Sequence, residues 1–197
     1  MHRNARRAVT AVIRDRMIWG FEGSERPDTG FADGFVDGTA SFDQTQVTNG
    51  AHSGFVPNST SAFRFLNYQK VVGNFHFETD VLFTTLANSH NLMTLAATTA
   101  NHNLWYNHSA GNWRFWDGAT DRIIYTEALT IDTWYNVGLS RTGLLFELLR
   151  NGKPVGSYLA TALTDLSQGD LRIGAYPGSS IATSAKFDRT VFRSWPR

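Results

Sequence analysis

Asn74-Phe-His-Phe-Glu-Thr-Asp-Val-Leu-Phe83 reads as a β-strand with two unlike faces. Phe75, Phe77, Thr79, Val81 and Phe83 alternate with Asn74, His76, Glu78, Asp80 and Leu82. A period of two places the first set on a buried face and the second on a largely polar one. Working outward, shorter runs of the same texture recur between Gly, Asn, Asp and Ser clusters, the spacing of a β-sandwich. Further strands are predicted over Ala62–Leu66, Leu92–Ala97, Asn103–Asn107, Trp113–Trp116, Arg122–Tyr125 and Trp134–Arg141, then Leu144–Arg150, Val155–Leu159, Leu171–Tyr176 and Phe187–Trp195. Asn151-Gly152 joins two of them and is the pair a type I′ hairpin turn prefers, since both central residues need positive φ. Pro154 donates no ladder hydrogen bond, which places the returning strand at an edge. Residues 22–43 carry Glu22, Glu25, Asp28, Asp33, Asp37 and Asp43 against one Arg26, and they read as an acidic loop.

Composition agrees with one packed domain. The chain has 197 residues, 42% hydrophobic, 13% aromatic and only 18% charged, enough to bury a core without covalent help. It has no cysteine, which excludes disulfides, thiolate metal sites and cysteine catalysis and favours folding in a reducing compartment. No apolar run approaches the ~20 residues that span a bilayer, and neither a membrane span nor a signal peptide is expected.

Residues 1–16 differ from the rest. Ala5, Ala8, Val9, Val12 and Ile13 recur at helical spacing, and Arg3, Arg6, Arg7 and Arg14 lie mostly off that stripe. The sequence thus predicts a short basic amphipathic helical arm over 1–16, followed by a domain over 17–197. Two roles are open for the arm: docking on a partner through Val9, Val12 and Ile13 with the arginines on acidic groups, or packing on its own domain. The arm carries a net +4 and the remainder −3, so the body of the domain is not expected to bind nucleic acid.

Read in order, the segments resemble the concanavalin A-like, laminin G-like family. They are Trp19-Gly-Phe-Glu, Asn49-Gly-Ala-His-Ser-Gly, Ala62-Phe-Arg-Phe, the Phe75–Phe83 strand, Thr133-Trp-Tyr-Asn-Val-Gly-Leu-Ser-Arg, the Asn151-Gly152-Lys153 hairpin, Leu171-Arg-Ile-Gly and Phe187-Asp-Arg-Thr-Val-Phe. The resemblance covers roughly Trp19 to Trp195 and implies a two-sheet antiparallel jelly-roll sandwich. The last strand departs from the family: it lacks the usual preceding glycine and carries Arg189 and Arg193. The family often holds a structural calcium; Glu22, Asp43 and Asp188 are the acids considered for it, with no ligand set mapped and no other cofactor expected.

The catalytic alternative on this fold is glycoside hydrolysis. Related endoglucanases carry Glu-x-Asp-x-Glu on one strand face, and Glu78-Thr79-Asp80 begins that motif, but Leu82 stands where the third carboxylate belongs. No metal-binding His pair and no Gly-x-Ser-x-Gly elbow occurs. The binding candidates lie in His102–Asp121. Trp105 and Trp116 offer flat faces for sugar rings, and Asn107, Arg114 and Asp117 offer directional hydrogen bonds to hydroxyls. On one strand Trp113 and Phe115 share a face opposite Arg114 and Trp116, so Trp113 is assigned to the core.

The expected function is a non-catalytic virion module: a capsid decoration, head fibre or tail protein of a bacteriophage, made in the host cytoplasm. The arm would anchor it to other virion proteins in a homo-oligomeric assembly, and the jelly roll would bind cell-surface polysaccharide. The alternatives are a free carbohydrate-binding lectin and, third, a glycosidase.

Overall fold

The computed structural model describes residues 16–19, 34–37, 39–45, 53–58, 61–65, 74–97, 101–162, 169–174 and 184–195. These form fifteen strands. In chain order they are β1 (Arg16–Trp19), β2 (Gly34–Asp37), β3 (Ser41–Asp43), β4 (Ser53–Val56), β5 (Ala62–Phe65), β6 (Asn74–Phe83), β7 (His90–Ala97) and β8 (Asn101–Asn107). After them come β9 (Asn112–Trp116), β10 (Asp121–Thr126), β11 (Trp134–Thr142), β12 (Leu145–Arg150), β13 (Lys153–Leu159), β14 (Gly169–Ile173) and β15 (Ala185–Trp195).

Every pairing is antiparallel, and the strands sort into two sheets. The first has eight strands, in the order β13-β12-β11-β6-β15-β4-β3, with β1 also paired to β15. The second has seven, in the order β10-β9-β8-β7-β14-β5-β2. The protein is therefore an all-β sandwich of two antiparallel sheets.

The alternation that marks β6 in the sequence is what closes the core. Phe75, Phe77, Val81 and Phe83 are fully buried, and so is Thr79, whose hydroxyl lies 2.6 Å from that of Thr190. They meet Leu104, Tyr106, Trp113 and Phe115 of the second sheet in one hydrophobic cluster. Ring contacts bridge the two sheets directly: Phe115 stacks on Phe146 at 4.7 Å, and Phe83 lies 5.9 Å from Trp113. Each such side chain contributes about 1.5–3 kcal/mol by leaving water.

Asn151 and Gly152 have φ of 51° and 71°, the two left-handed residues the hairpin requires. Pro154 lies on β13, the edge strand of the first sheet, as expected. Beside it Gly156 is a close approach: a Cβ there would lie 2.6 Å from Ile123 Cγ2 on β10, the edge strand of the second sheet. The two edges meet along this side.

The expectation of an acidic loop over 22–43 needs correction, because β2 and β3 fall within it. Each is only three or four residues long and gains its hydrogen bonds from a partner strand, β5 and β4 respectively. So short a segment carries too few alternations to show a period. The departure noted in the last strand has a structural counterpart. Residues 185–187 of β15 pair with β4 and residues 190–193 with β1, and a register shift separates Asp188 from Val191. Arg189 sits in that bulge with φ of 43°.

The helical arm lies outside the described residues apart from Arg16, which opens β1 rather than ending a helix. Among the described residues no helix is long and apolar enough to cross a membrane.

Candidate functional site

The sandwich has two outer faces, and the aromatic candidates fall on that of the second sheet. On β8, His102, Leu104 and Tyr106 are buried toward the core, so Asn103, Trp105 and Asn107 point outward. On β9, Trp113 and Phe115 are core residues, which turns Asn112, Arg114 and Trp116 outward. Register then builds two rows across the sheet. One runs Asn91, Trp105, Arg114, Ile124, and the other Thr94, Asn103, Trp116, Asp121.

Three residues lock together between these rows. Trp105 Nε1 donates to Asp121 Oδ1 at 3.2 Å, and Arg114 Nη1 donates to Asp121 Oδ2 at 2.6 Å. The Arg114 guanidinium carbon lies 5.2 Å from the Trp105 ring centroid, within cation–π range. Arg114 Nε also donates to Asn112 Oδ1 at 2.6 Å. Asp121 lies two strands from Trp105, so the indole leans across β9 and is pinned there. Trp105 and Trp116 are both half-buried.

Of the sequence-predicted residues, Trp105, Arg114 and Trp116 are thus neighbours on one face. Asn107 and Asp117 sit at its rim, where both brace turns. Asn107 Oδ1 accepts the Ala110 N–H at 3.1 Å across the turn between β8 and β9. Asp117 Oδ1 accepts the N–H groups of Ala119 and Thr120 at 2.9 and 3.0 Å, and its Oδ2 accepts from Arg122 Nε at 2.5 Å. Burial alone would raise the Asp117 carboxyl; the Arg122 bond and the two amides outweigh it and hold the group below its ordinary range.

Sequence reasoning missed two members of this face. Asp121 was legible only as the end of a polar–aromatic stretch, since nothing local announces a bond to an indole sixteen residues back. Asn103 alternates with two core residues and is 7% exposed, and its Oδ1 is buried with no hydrogen-bond partner. Thr94 beside it is fully buried and accepts from Asn91 Nδ2 at 2.8 Å.

The acids of the endoglucanase-like motif lie on the outer face of the other sheet. They are not the solvated pair that a polar strand face suggests. Asp80 is buried and accepts from Asn136 Nδ2 at 2.8 Å and from Arg189 Nη2 at 3.1 Å, and Arg189 Nε forms an ion pair with its Oδ2 at 3.0 Å. Glu78 Oε2 lies 3.0 Å from His76 Nε2. Leu82, in place of a third carboxylate, is 1% exposed.

Of the calcium candidates, Glu22 lies outside the described residues and Asp43 is in β3. Asp188 is fully buried, its Oδ1 accepting the Arg189 N–H at 2.6 Å. Among the described residues no group of three or more His, Asp or Glu side chains stands ready to hold a metal ion.

No protein-family model matches the chain, and no curated protein matches it. Solved structures do match. The fourth domain of a Geobacillus stearothermophilus GH43 arabinanase, solved with arabinotriose, shares 16% identity at a TM-score of 0.71, covering 90% of this chain and 91% of that one. Carbohydrate-binding module CBM66 of Bacillus subtilis shares 13% identity at a TM-score of 0.57, covering 82% and 95%. Trypanosoma rangeli sialidase shares 16% identity at a TM-score of 0.65, and the chain spans only 30% of its length. At such identities the likeness is one of fold: the jelly-roll architecture found in carbohydrate-binding and glycosidase-associated domains.

Proposed function

We propose that this protein is a non-catalytic jelly-roll module that binds glycan on the outer face of its second sheet. The observation that carries this reading is the pinned Trp105 indole, fixed by Asp121 and Arg114 beside the half-buried Trp116. A ring held in place before the ligand arrives spends little entropy on stacking. The surrounding amides supply directional bonds for hydroxyls. The shared fold of an arabinanase domain solved with arabinotriose and of a carbohydrate-binding module supports the choice of ligand class.

The absence of catalysis in this reading rests on the engagement of the motif acids. Asp80 is held by Arg189 and Asn136, Glu78 by His76, and both lie across the sandwich from the aromatic face. The virion setting rests on the sequence alone: the basic stripe within residues 1–16 and a cysteine-free chain. Purified particles lacking the chain would remove that setting and leave glycan binding standing.

The direct test is affinity electrophoresis through a panel of soluble polysaccharides, with hydrolysis assayed in parallel. Retardation by at least one polymer without cleavage is expected, and Trp105→Ala should weaken it at least about tenfold with the fold retained. Cleavage abolished by Glu78→Gln would replace this reading with the glycosidase one. No retardation by any polymer would end it.

A further inference from the structure

Resting on the glycan-binding reading, we infer that this face selects uncharged sugars, with Asn103 Oδ1 as the acceptor for a ligand hydroxyl. Two independent observations converge on this.

The first is the charge balance of the face. Two of its arginines are already neutralised from within: Arg114 by Asp121 at 2.6 Å and, at the rim, Arg122 by Asp117 at 2.5 Å. Arg172 and Arg64 stand farther along the second row, on β14 and β5, and neither is without a partner. A sugar carboxylate arriving beside Trp105 would lose its hydration and find Arg114 and Arg122 already paired.

The second is the state of Asn103. Its Oδ1 is a buried acceptor with no donor, flanked in register by Thr94 and Trp116. A buried carbonyl oxygen left unmade is unfavourable in the free protein, and it persists in folded proteins where something else repays it. A donor is what it lacks. A sugar hydroxyl carries a proton to give, whereas a carboxylate brings only more acceptor oxygens and meets repulsion. The oxygen is covered in the free protein, so the ligand must shift a neighbouring side chain to reach it. Trp116, half-buried, is its register neighbour on β9.

This assignment makes an unusual demand on stability. An Asn that held the fold together would destabilise it when removed, but an Asn serving a ligand would not. Replacing it by an apolar group of similar shape removes an unpaired acceptor.

The test uses the full chain, affinity electrophoresis against neutral polymers (arabinan, β-glucan, levan) and acidic ones (polygalacturonate, polysialic acid), and thermal unfolding of Asn103→Leu and Asn103→Ala. The wild type should be retarded by a neutral polymer and by no acidic one. Asn103→Leu should lose about tenfold in affinity while unfolding at the same temperature or higher. Asn103→Ala should lose the same affinity and decides the matter if the leucine variant does not fold. Retardation by acidic polymers alone would overturn the selection of uncharged sugars and leave glycan binding intact. Unchanged affinity in both variants, or a clear fall in unfolding temperature in both, would overturn the role of Asn103. A wild type that no polymer retards would end this inference together with the reading beneath it.

Discussion

The protein builds the same three-residue group twice, once at the seam between the two sheets and once on the outer face of one of them. At the seam, Trp113 Nε1 donates to Glu127 Oε2 at 2.5 Å, and Arg150 grips the same carboxylate through Nε and Nη2 at 2.6 and 2.9 Å. The Arg150 guanidinium lies between the Trp113 and Tyr135 rings, 5.7 and 5.4 Å from their centroids, and it also bonds the Asn136 carbonyl. Outside, Trp105, Arg114 and Asp121 repeat the pattern. The inner group ties β9, the segment after β10, and β12, so it joins the two sheets. The outer group spans β8, β9 and β10 of one sheet and joins nothing that register has not already joined. The same chemistry is therefore a clasp in one place and a displayed surface in the other. Position relative to the two sheets decides which.

Acid should have the largest effect, and it acts through the core between the two sheets. Burial lowers both His90 and His102 from 6.5 to about 4. His90 lies against Phe83, and His102 between Phe115 and Phe146, where Asp117 and Arg141 pull in opposite directions. The unfolded chain takes up protons from pH 6.5 downward while the folded chain resists until near 4. The stability this contributes is complete above 6.5 and lost as the pH falls toward 4. By pH 5 the loss is about 2 kcal/mol per histidine. Glu127, which burial would raise but which the bonds from Arg150 and Trp113 together hold below its ordinary value, adds a further loss at lower pH. Urea unfolding at pH 7 and pH 5 measures the effect, and His102→Leu should remove about half of it. Equal stability at the two pH values would show that the core histidines do not matter.

The next largest effect tests the clasp itself. Glu127→Ala leaves the buried Arg150 guanidinium and the Trp113 N–H without their acceptor, and should cost about 3 kcal/mol. Glycan affinity of the folded fraction should be unchanged. A small change in unfolding free energy would mean that the inner group is no more structural than the outer one.

How much of this the sequence revealed follows from the same division. β6 was legible because its ten residues alternate with few exceptions, and the hairpin because Asn151-Gly152 needs no tertiary context. β1 to β4 were not predicted, because these segments of three or four residues lack the apolar alternation that Phe63 and Phe65 give β5, and their pairing partners lie elsewhere in the chain. At the site, alternation was enough to send Trp113 inward and Trp116 outward. It could not reveal that Asn103 would be buried on an outward face, nor that Asp121 would reach Trp105, because both depend on which strands lie side by side. The arginines at 114 and 150 look alike in sequence, and only the sheet order makes Arg150 part of a clasp and Arg114 part of a displayed face.

The smallest stability effect carries the sharpest test of the outer group. Asp121→Asn keeps an oxygen in place for Trp105 Nε1 but replaces the oxygen that accepts from Arg114 by an amide nitrogen that cannot, removing both that hydrogen bond and the negative charge that neutralises Arg114. Because both side chains retain some exposure (19% for Arg114, 16% for Asp121), the cost in stability should be only about 1 kcal/mol. The effect on recognition should be larger and of a different kind. Arg114 becomes an uncompensated guanidinium beside a fixed indole, a combination suited to binding a carboxylate on a sugar ring. Neutral-polymer affinity should fall only slightly, since the indole stays pinned, while retardation by polygalacturonate should appear where the wild type shows none. If the variant gains no acidic ligand, the balance of charge on this face is incidental. If it unfolds like Glu127→Ala, the outer group is a second clasp, and the contrast between the two disappears.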